Sequence, residues 1–258
     1  MNETMRLRGK TALVTGGSTG IGREVCLAYA AEGARVAVNY IGGGERASEL
    51  VETIRSAGGE AMAVHADVSD ERQVGDIIKD IESVWGGVDI LVNNAGIYPR
   101  KAWHEITGEE WDRVLAVNLK ACFLTSKAVF PSMRKRQYGK IINVSSVTFW
   151  RGQKGFVHYV ASKGGVIGFT RALSREVGAD GITVNAVSPG AVMTDQELLD
   201  MPDPDEREKL RAYLAEEQAI PRRQLPRDMV GVFVFLASPD SDFMTGQTIN
   251  VDGGWAMH

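Results

Sequence analysis

The stretch Thr11-Ala-Leu-Val-Thr15 reads as a short buried strand and runs without a spacer into Gly16-Gly17-Ser18-Thr19-Gly20-Ile21-Gly22. Val25, Leu27, Ala28 and Ala31 then follow in a helical pattern. Strand, glycine turn and helix in direct succession is the context a phosphate-binding loop requires, and it commits this end of the chain to an α/β arrangement. Gly16 permits the tight turn. Gly20 and Gly22 let the backbone approach a pyrophosphate and let the helix pack close to the sheet. The helix start offers unpaired N–H groups and the positive end of the dipole to the same anion. Gly16, Ser18, Thr19, Gly20, Ile21 and Gly22 are therefore the expected nucleotide contacts at this end.

The alternation continues along the chain. Short apolar runs with β-branched residues at 11–15, 35–40, 61–65, 90–93, 140–144, 183–187 and 248–251 are the strand candidates. Runs of that kind suit a parallel sheet covered on both faces. Helical patterns lie between them at 21–32, 45–57, 71–85, 111–133, 159–177 and 228–237, with Pro131 leaving the end of the fourth open. The expectation is an α/β fold: a single doubly wound domain over 1–258, with a parallel seven-stranded sheet flanked by helices. Gly42-Gly43-Gly44 is a flexible turn too short to separate domains. The rhythm breaks at 190–221, where Met201-Pro-Asp-Pro-Asp205 precedes a charged helical stretch. Long excursions of this kind are usually functional or mobile.

Tyr159 and Lys163 stand four residues apart in Tyr159-Val-Ala-Ser-Lys163, with Ser146 upstream. On a helix, that spacing puts phenol and ammonium on one face. A free tyrosine titrates near ~10, and a nearby cation favours the phenolate. Lys163 is thus expected to help Tyr159 exchange a proton with an alcohol or carbonyl, while Ser146 holds the same oxygen. Alone, a Tyr-x-x-x-Lys pair is commonly structural, with the lysine reaching to water. Here it follows a nucleotide-binding loop.

Five segments together resemble the short-chain dehydrogenase/reductase family: the glycine loop from Thr15 to Gly22; Asn93-Asn-Ala-Gly96; Asn118; Ser146 with Tyr159 and Lys163; and Pro189-Gly190 followed by Val192 and Thr194. The resemblance implies a Rossmann-type fold and an NAD(P)-dependent oxidoreductase that interconverts a secondary alcohol and a ketone by hydride transfer. It makes Tyr159 the general acid/base and gives Lys163 the nicotinamide-side ribose. It makes Ser146 the anchor of the substrate oxygen and Asn118 the support of a water linking Lys163 to solvent. Asp67 and Val68 would face adenine, and Asn94, Ala95 and Gly96 the adenosine ribose. Pro189, Gly190, Val192 and Thr194 would meet the nicotinamide end. Residues 190–221 resemble the family's substrate lid. A homo-oligomer, dimer or tetramer, paired through the helices holding Asn118 and Tyr159 is also implied, and 115–130 and 166–173 are apolar enough for it.

Coenzyme choice turns on the end of the second strand, where an acid would bind a ribose 2′-hydroxyl and repel a 2′-phosphate. The chain has Val38-Asn39-Tyr40-Ile41 there, so Asn39 and Tyr40 leave NADP unblocked, and Arg46 is the nearest downstream cation. Thr19 is not the basic residue often seen in NADP-preferring relatives. NADP is favoured over NAD, with dual use open. For the substrate, Tyr98, Thr148, Phe149, Trp150, Gln153, Phe156, His158, Val192 and Met193 are the expected pocket, an apolar and aromatic set suited to a hydrophobic ketone. Residues 93–99, 167–187 and 219–254 are similar to dehydrogenases of aryl and alicyclic secondary alcohols. Phe156-Val-His-Tyr159 and Val38-Asn-Tyr40 are similar to bacterial glucose dehydrogenases. A 3-oxoacyl-thioester reductase is a further alternative. It would need a basic docking patch for an acidic carrier, for which Arg134-Lys-Arg136 and Arg222-Arg223 are the candidates. A coenzyme-sensing protein without chemistry is the reading from another class; the intact Tyr159 and Lys163 speak against it.

Composition narrows the field. A net charge of −4 with no basic stripe gives no footprint for nucleic acid. Cys26 and Cys122 fall in apolar helical stretches, so buried free thiols are expected. His65, His104, His158 and His258 are scattered, and no metal site is expected. Residues 1–10 are polar and basic, without a secretory pattern, and no segment reads as a membrane span. The expected location is the cytoplasm.

Overall fold

The computed structural model describes residues 5–257; His258 and the first four residues of the basic N-terminal segment lie outside the described residues. The chain starts with β1 (Thr11–Val14), α1 (Gly20–Ala31), β2 (Arg35–Tyr40), α2 (Gly44–Ser56), β3 (Glu60–His65), α3 (Glu71–Trp85) and β4 (Ile90–Asn93). After a loop come α4 (Gly108–Leu115), a π-helical turn (Ala116–Lys120), α5 (Ala121–Arg136) and β5 (Gly139–Val144). The short α6 (Thr148–Arg151), the long α7 (Val157–Val177) and β6 (Ile182–Pro189) follow. The chain finishes with α8 (Asp195–Asp200), α9 (Pro204–Glu217), α10 (Val230–Ala237) and β7 (Thr248–Val251).

All seven strands pair in parallel in the order β3-β2-β1-β4-β5-β6-β7. The order reverses at β1 and β4. In an open parallel sheet a crevice forms outside the carboxyl ends of the strands at that point, and the glycine turn after β1 opens into it.

The strand sequences look uniformly apolar, yet each residue has an assigned face. Ala12, Val14, Val36, Val38, Ile90, Val92, Ile142 and Val144 pack with Val25, Tyr29, Leu50, Phe233 and Leu236 from α1, α2 and α10. The intervening Leu13, Ala37, Leu91, Ile141 and Val184 pack with Ile77, Ile78, Ile81, Val129, Met133 and Val177 from α3, α5 and α7. This is the two-residue period of a strand expressed in a sheet covered on both sides. The Tyr29 hydroxyl donates to Phe233 O at 3.0 Å, which gives a fully buried polar atom its partner and ties α1 to α10.

Three expectations need correction. The fourth helix was expected over 111–133. It starts at Gly108, where Thr107 and Glu110 form a reciprocal cap, and passes through Pro131 to Arg136. Gln137 closes it with φ +51, and Arg134, Lys135 and Arg136 occupy its last turn, where cations suit the helix dipole. The continuous helical run Gly108–Arg136 is long and apolar enough to cross a membrane by length and composition, although no segment was read so from the sequence. Half of its most apolar window is buried in the fold, as in a core helix. The excursion at 190–221 holds two helices, α8 and α9, rather than one.

Candidate active site

The glycine loop has the backbone that its sequence demands. Gly16 and Gly20 adopt φ +59 and +52, a region that side chains disfavour. A Cβ on Gly22 would stand 2.3 Å from Gly16 O, so α1 can approach the loop only because residue 22 is glycine. Thr19 precedes α1 in extended conformation and provides no side-chain cap, leaving the first N–H groups of α1 facing the crevice. The cradle fits a dinucleotide pyrophosphate.

Around the loop, several expected contacts do structural work. Asn39 is 2 % exposed. Its Oδ1 accepts from Gly16 N at 3.3 Å and its Nδ2 donates to Val64 O and Ala66 O. Its side chain thus joins the loop to β2 and β3 instead of facing a ribose. Asn94 Nδ2 donates to Thr15 O at 2.9 Å and Gly16 O at 3.0 Å, and Thr15 Oγ1 accepts from the N–H groups of Asn94 and Ala95. Asp67 accepts from the Ser69 hydroxyl at 2.6 Å and lies 3.4 Å from Arg113. Burial alone would raise its carboxyl, but the Ser69 bonds and Arg113 outweigh that and hold it below the usual range.

Beside the loop, a cavity of about 270 Å³ is lined by Ser18, Thr19, Arg23, Arg46, Glu49, Leu50, Thr53 and Asp195. Arg23 was not singled out in the sequence. Only the fold shows that α1 and α2 bring two guanidinium groups to the same opening.

The Tyr159, Lys163 and Ser146 trio assembles at the end of β5. Lys163 is 4 % exposed and donates from Nζ to Val144 O at 2.7 Å, with Nζ 5.7 Å from the centre of the Tyr159 ring. Ser145 Oγ donates to Lys163 O at 2.9 Å, a second tie between β5 and α7. Ser146 hydrogen-bonds the Tyr159 phenol and is itself approached by Thr148, whose N–H and hydroxyl donate to Ser146 Oγ at 3.2 and 3.0 Å. Asn118 lies fully buried in the π-helical turn. Its Oδ1 accepts from Ile97 N at 2.8 Å, and its Nδ2 donates to Ile97 O and Ser162 Oγ. A Cβ on Gly96 would lie 3.3 Å from Asn118 Oδ1 and 3.5 Å from Lys163 Nζ, so residue 96 leaves the lysine approachable. π-turns concentrate at functional sites, and this one had no signal in the apolar periodicity of the helix.

Burial governs the electrostatics of the Tyr159 and Lys163 pair. Burial raises the Tyr159 phenol above its ordinary value, and only the Ser146 hydrogen bond pulls it down. Burial also brings the Lys163 ammonium down to about 8, against a smaller contribution from Cys122. The Lys163 ammonium is directed to Val144 O, and burial is the largest influence on both groups.

Beyond β6, Gly190 N donates to Val251 O and to Gln224 Oε1, and Val192 bridges to Gln224. Pro189 ends β6, and Thr194 caps α8 through Glu197 N while its methyl lies against Gly20. The 190–221 segment therefore reaches over the glycine loop. Tyr98 faces the Tyr159 ring edge-on at 6.2 Å and hydrogen-bonds Thr194 and Asp200. Its phenol is pushed up to about 12 by burial and the Asp200 charge. Phe156 also meets the Tyr159 ring, at 6.1 Å, while Trp150 pairs with Phe149 at 4.8 Å. Phe149 packs against Gly164 of α7, and His158 is buried with Nδ1 accepting from Tyr159 N, so both serve packing more than a pocket wall. Gln153 is partly buried and donates its N–H to Thr148 O; Met193 is exposed at the rim. Val68 is buried under α3 and α5.

A family model described as enoyl-(acyl carrier protein) reductase matches residues 16–256. The 3-oxoacyl-(acyl-carrier-protein) reductase FabG of Staphylococcus epidermidis is 41 % identical over 248 residues, 96 % of this chain and 99 % of that protein. Two solved structures each cover 98 % of both chains at 36 % identity. One, described as a putative gluconate dehydrogenase from Agrobacterium tumefaciens, superposes with a TM-score of 0.91. The other, a putative NAD(P)-dependent gluconate 5-dehydrogenase from Beutenbergia cavernae with bound NADP, gives 0.90. The chain belongs to the short-chain dehydrogenase/reductase family. It is an NAD(P)-dependent oxidoreductase acting on the CH–OH and keto pair.

Proposed function

We propose that the Tyr159, Lys163 and Ser146 cluster performs the proton transfer that accompanies interconversion of a secondary alcohol and a ketone, with residues 190–221 closing over the substrate. The observation that carries this is the meeting of phenol, serine hydroxyl and buried ammonium where β5 and α7 join, two strands along the sheet from the glycine loop. When bound, the reduced nicotinamide supplies a hydride to the carbonyl carbon. Ser146 Oγ holds the carbonyl oxygen. The raised phenol of Tyr159 arrives protonated at neutral pH and donates to that oxygen as negative charge builds on it. The Lys163 charge then stabilises the phenolate left behind. In the oxidative direction the same groups act in reverse.

NADP(H) is the preferred coenzyme, with NAD(H) usable. Arg23 and Arg46 line the cavity beside the second strand, and no acid replaces Asn39 or Tyr40. The enzyme is cytoplasmic and assembles as a homodimer or tetramer. In support, Leu115, Leu119, Phe123, Gly165 and Phe169 of α4, the π-helical turn, α5 and α7 line an open apolar hollow of about 590 Å³, with Phe123 49 % exposed.

A 3-oxoacyl thioester is a second substrate reading, favoured by the name of the FabG relative. The basic patch expected for its carrier is largely committed elsewhere. Arg134 pairs with Asp180, Arg136 with Asp89, Arg222 with Asp228 and Arg223 with Glu197. Absorbance at the reduced-nicotinamide band, with each coenzyme against an aryl ketone, a cyclic ketone, an acetoacetyl thioester and, oxidatively, glucose, tests the proposal. Turnover of a free ketone supports it, and tight coenzyme binding without any turnover overturns it.

A further inference from the structure

Four cations stand where the loop after β4 meets the turn before α7. Lys101 is consumed by Glu110 at 2.6 Å, and Arg151 by Glu217 at 3.1 Å, with its guanidinium over the Trp255 ring. Arg100 and Lys154 are exposed and have no ion pair or hydrogen bond among the described side chains. Arg100 is nevertheless placed. Its Cγ and Nε come within 3.2 and 3.3 Å of where a Cβ on Gly155 would be, so the side chain lies flat across that residue. Gly155 has φ +84, a backbone that any other residue would strain to adopt, and its carbonyl accepts from Lys101 N at 2.9 Å. Loop and turn are thereby pinned together with the guanidinium on top. Gly155 leads directly to Phe156, and Tyr98 lies two residues before Arg100; both rings touch Tyr159. The first turn of α7 carries no acidic residue that would take the arginine's charge.

The geometry points to Arg100 as a specificity-determining residue that receives the carboxylate of the substrate, so that the ketone is an oxo acid and the alcohol a hydroxy acid. This rests on the proton-transfer reading of Tyr159. The aromatic walls hold the carbon chain, and the arginine fork, a geometric match for a carboxylate, holds its far end. The reaction remains balanced as before: hydride to the oxo carbon, proton from Tyr159 to its oxygen, coenzyme oxidised, the carboxylate unchanged.

The test compares 4-oxopentanoate and 5-oxohexanoate, each with its methyl ester, in the wild type, Arg100→Met and Arg100→Lys. In the wild type, kcat/KM for at least one acid should exceed that of its ester by roughly tenfold or more. Arg100→Met should raise KM for that acid by a similar factor, with kcat and the ester's constants within about twofold. Arg100→Lys should recover part of the loss, and the acid's KM should rise with salt only while residue 100 is cationic. Esters turned over as well as acids, or an acid KM indifferent to Arg100→Met, overturn the carboxylate site and leave the Tyr159 chemistry standing. No turnover of any acid or ester alongside turnover of an aryl or cyclic ketone overturns the carboxylate site alone, and no turnover of any of these ketones overturns both.

Discussion

The Lys163 ammonium donates to the main-chain carbonyl of Val144 at 2.7 Å, so the helix carrying the Tyr159 phenol is pinned to the strand that leads into Ser146. The bond joins two elements separated in sequence only by the short α6 and its flanking turns, and sets the distance between phenol and serine. A salt link to Tyr159 would leave that distance to side-chain flexibility. A bond to a strand carbonyl fixes it to the sheet.

Replacing Tyr159 by Phe removes the proton donor and little else, because the ring contacts to Tyr98 and Phe156 survive. Turnover is expected to fall by about 10²–10⁴-fold, the usual yield of a positioned acid/base. Coenzyme affinity, followed by fluorescence of the bound reduced form, is expected to stay within about twofold. Retained activity would sink the mechanism.

Gly22 and Gly75 are expected to respond oppositely to alanine. At Gly22 the new Cβ would meet Gly16 O at 2.3 Å and Asn94 Nδ2 at 2.7 Å, both fixed by the loop, so the loop must open. Overpacking of this kind costs about 1–3 kcal/mol, and a more than tenfold loss of coenzyme affinity should accompany a lower Tm. Gly75, inside α3, has nothing within 4 Å of its Cβ position, so alanine there should stabilise by about 0.5–1 kcal/mol. Equal effects at the two positions would contradict the cradle.

The sheet was legible because each strand is a compact β-branched run and each crossover carries its own stop signal, such as Asp70 capping α3 and Gly86 closing it at φ +82. The Tyr159 and Lys163 pair stands out by its spacing, but it is the nucleotide-binding loop upstream that gives that spacing its weight. What sequence could not reveal was where polar side chains point. Asn39 looked like a ribose contact, yet it is buried among backbone carbonyls. Asn143 sits buried within an apolar strand, whose periodicity says nothing of its partners. It accepts from Asn93 Nδ2 and donates to Thr170, inside a network that Thr125 completes. A lone amide in an apolar run was the available signal. Arg23 and Arg100 depend on packing between distant elements, which periodicity does not encode.

Arg46 is expected to set coenzyme preference. Arg46→Ala should reduce kcat/KM for NADPH by roughly tenfold or more, the scale of a charge-assisted bond to phosphate, while NADH changes by less than about twofold. Steady-state kinetics with both coenzymes check it. Parallel losses would assign Arg46 to the fold of α2 instead.

The apolar hollow at Leu119, Phe123 and Phe169 predicts the surface used for assembly. Phe123→Glu places a charge where a partner helix would have to cover it, and such burial is unfavourable without a counter-ion. The particle mass by light scattering should drop, with activity falling alongside because the π-turn of Asn118 adjoins that surface. An unchanged mass would place the interface elsewhere.

Lys163 should show itself in stability as well as in catalysis. Its ammonium is brought from 10.5 down to about 8 by burial. Below the lower value the lysine is charged in both folded and unfolded chains, and the fold bears the whole desolvation cost. As pH climbs from about 8 toward 10.5, the unfolded chain keeps a proton that the folded chain has released, so stability rises. Between pH 7 and 9.5 that gain is about 2 kcal/mol. Lys163→Met lacks it, whereas the buried thiols, which oppose it, are present in both proteins. Urea unfolding of the two proteins at pH 7, 8 and 9.5 should therefore show the wild type gaining on the variant as pH rises. Methionine leaves the Val144 carbonyl without its donor, so the offset at any one pH is the sum of two effects and only the slope isolates the charge. A difference that stays flat across this range would mean that Lys163 keeps an ordinary pKa in the fold, and that the phenol of Tyr159 has a fully charged neighbour throughout.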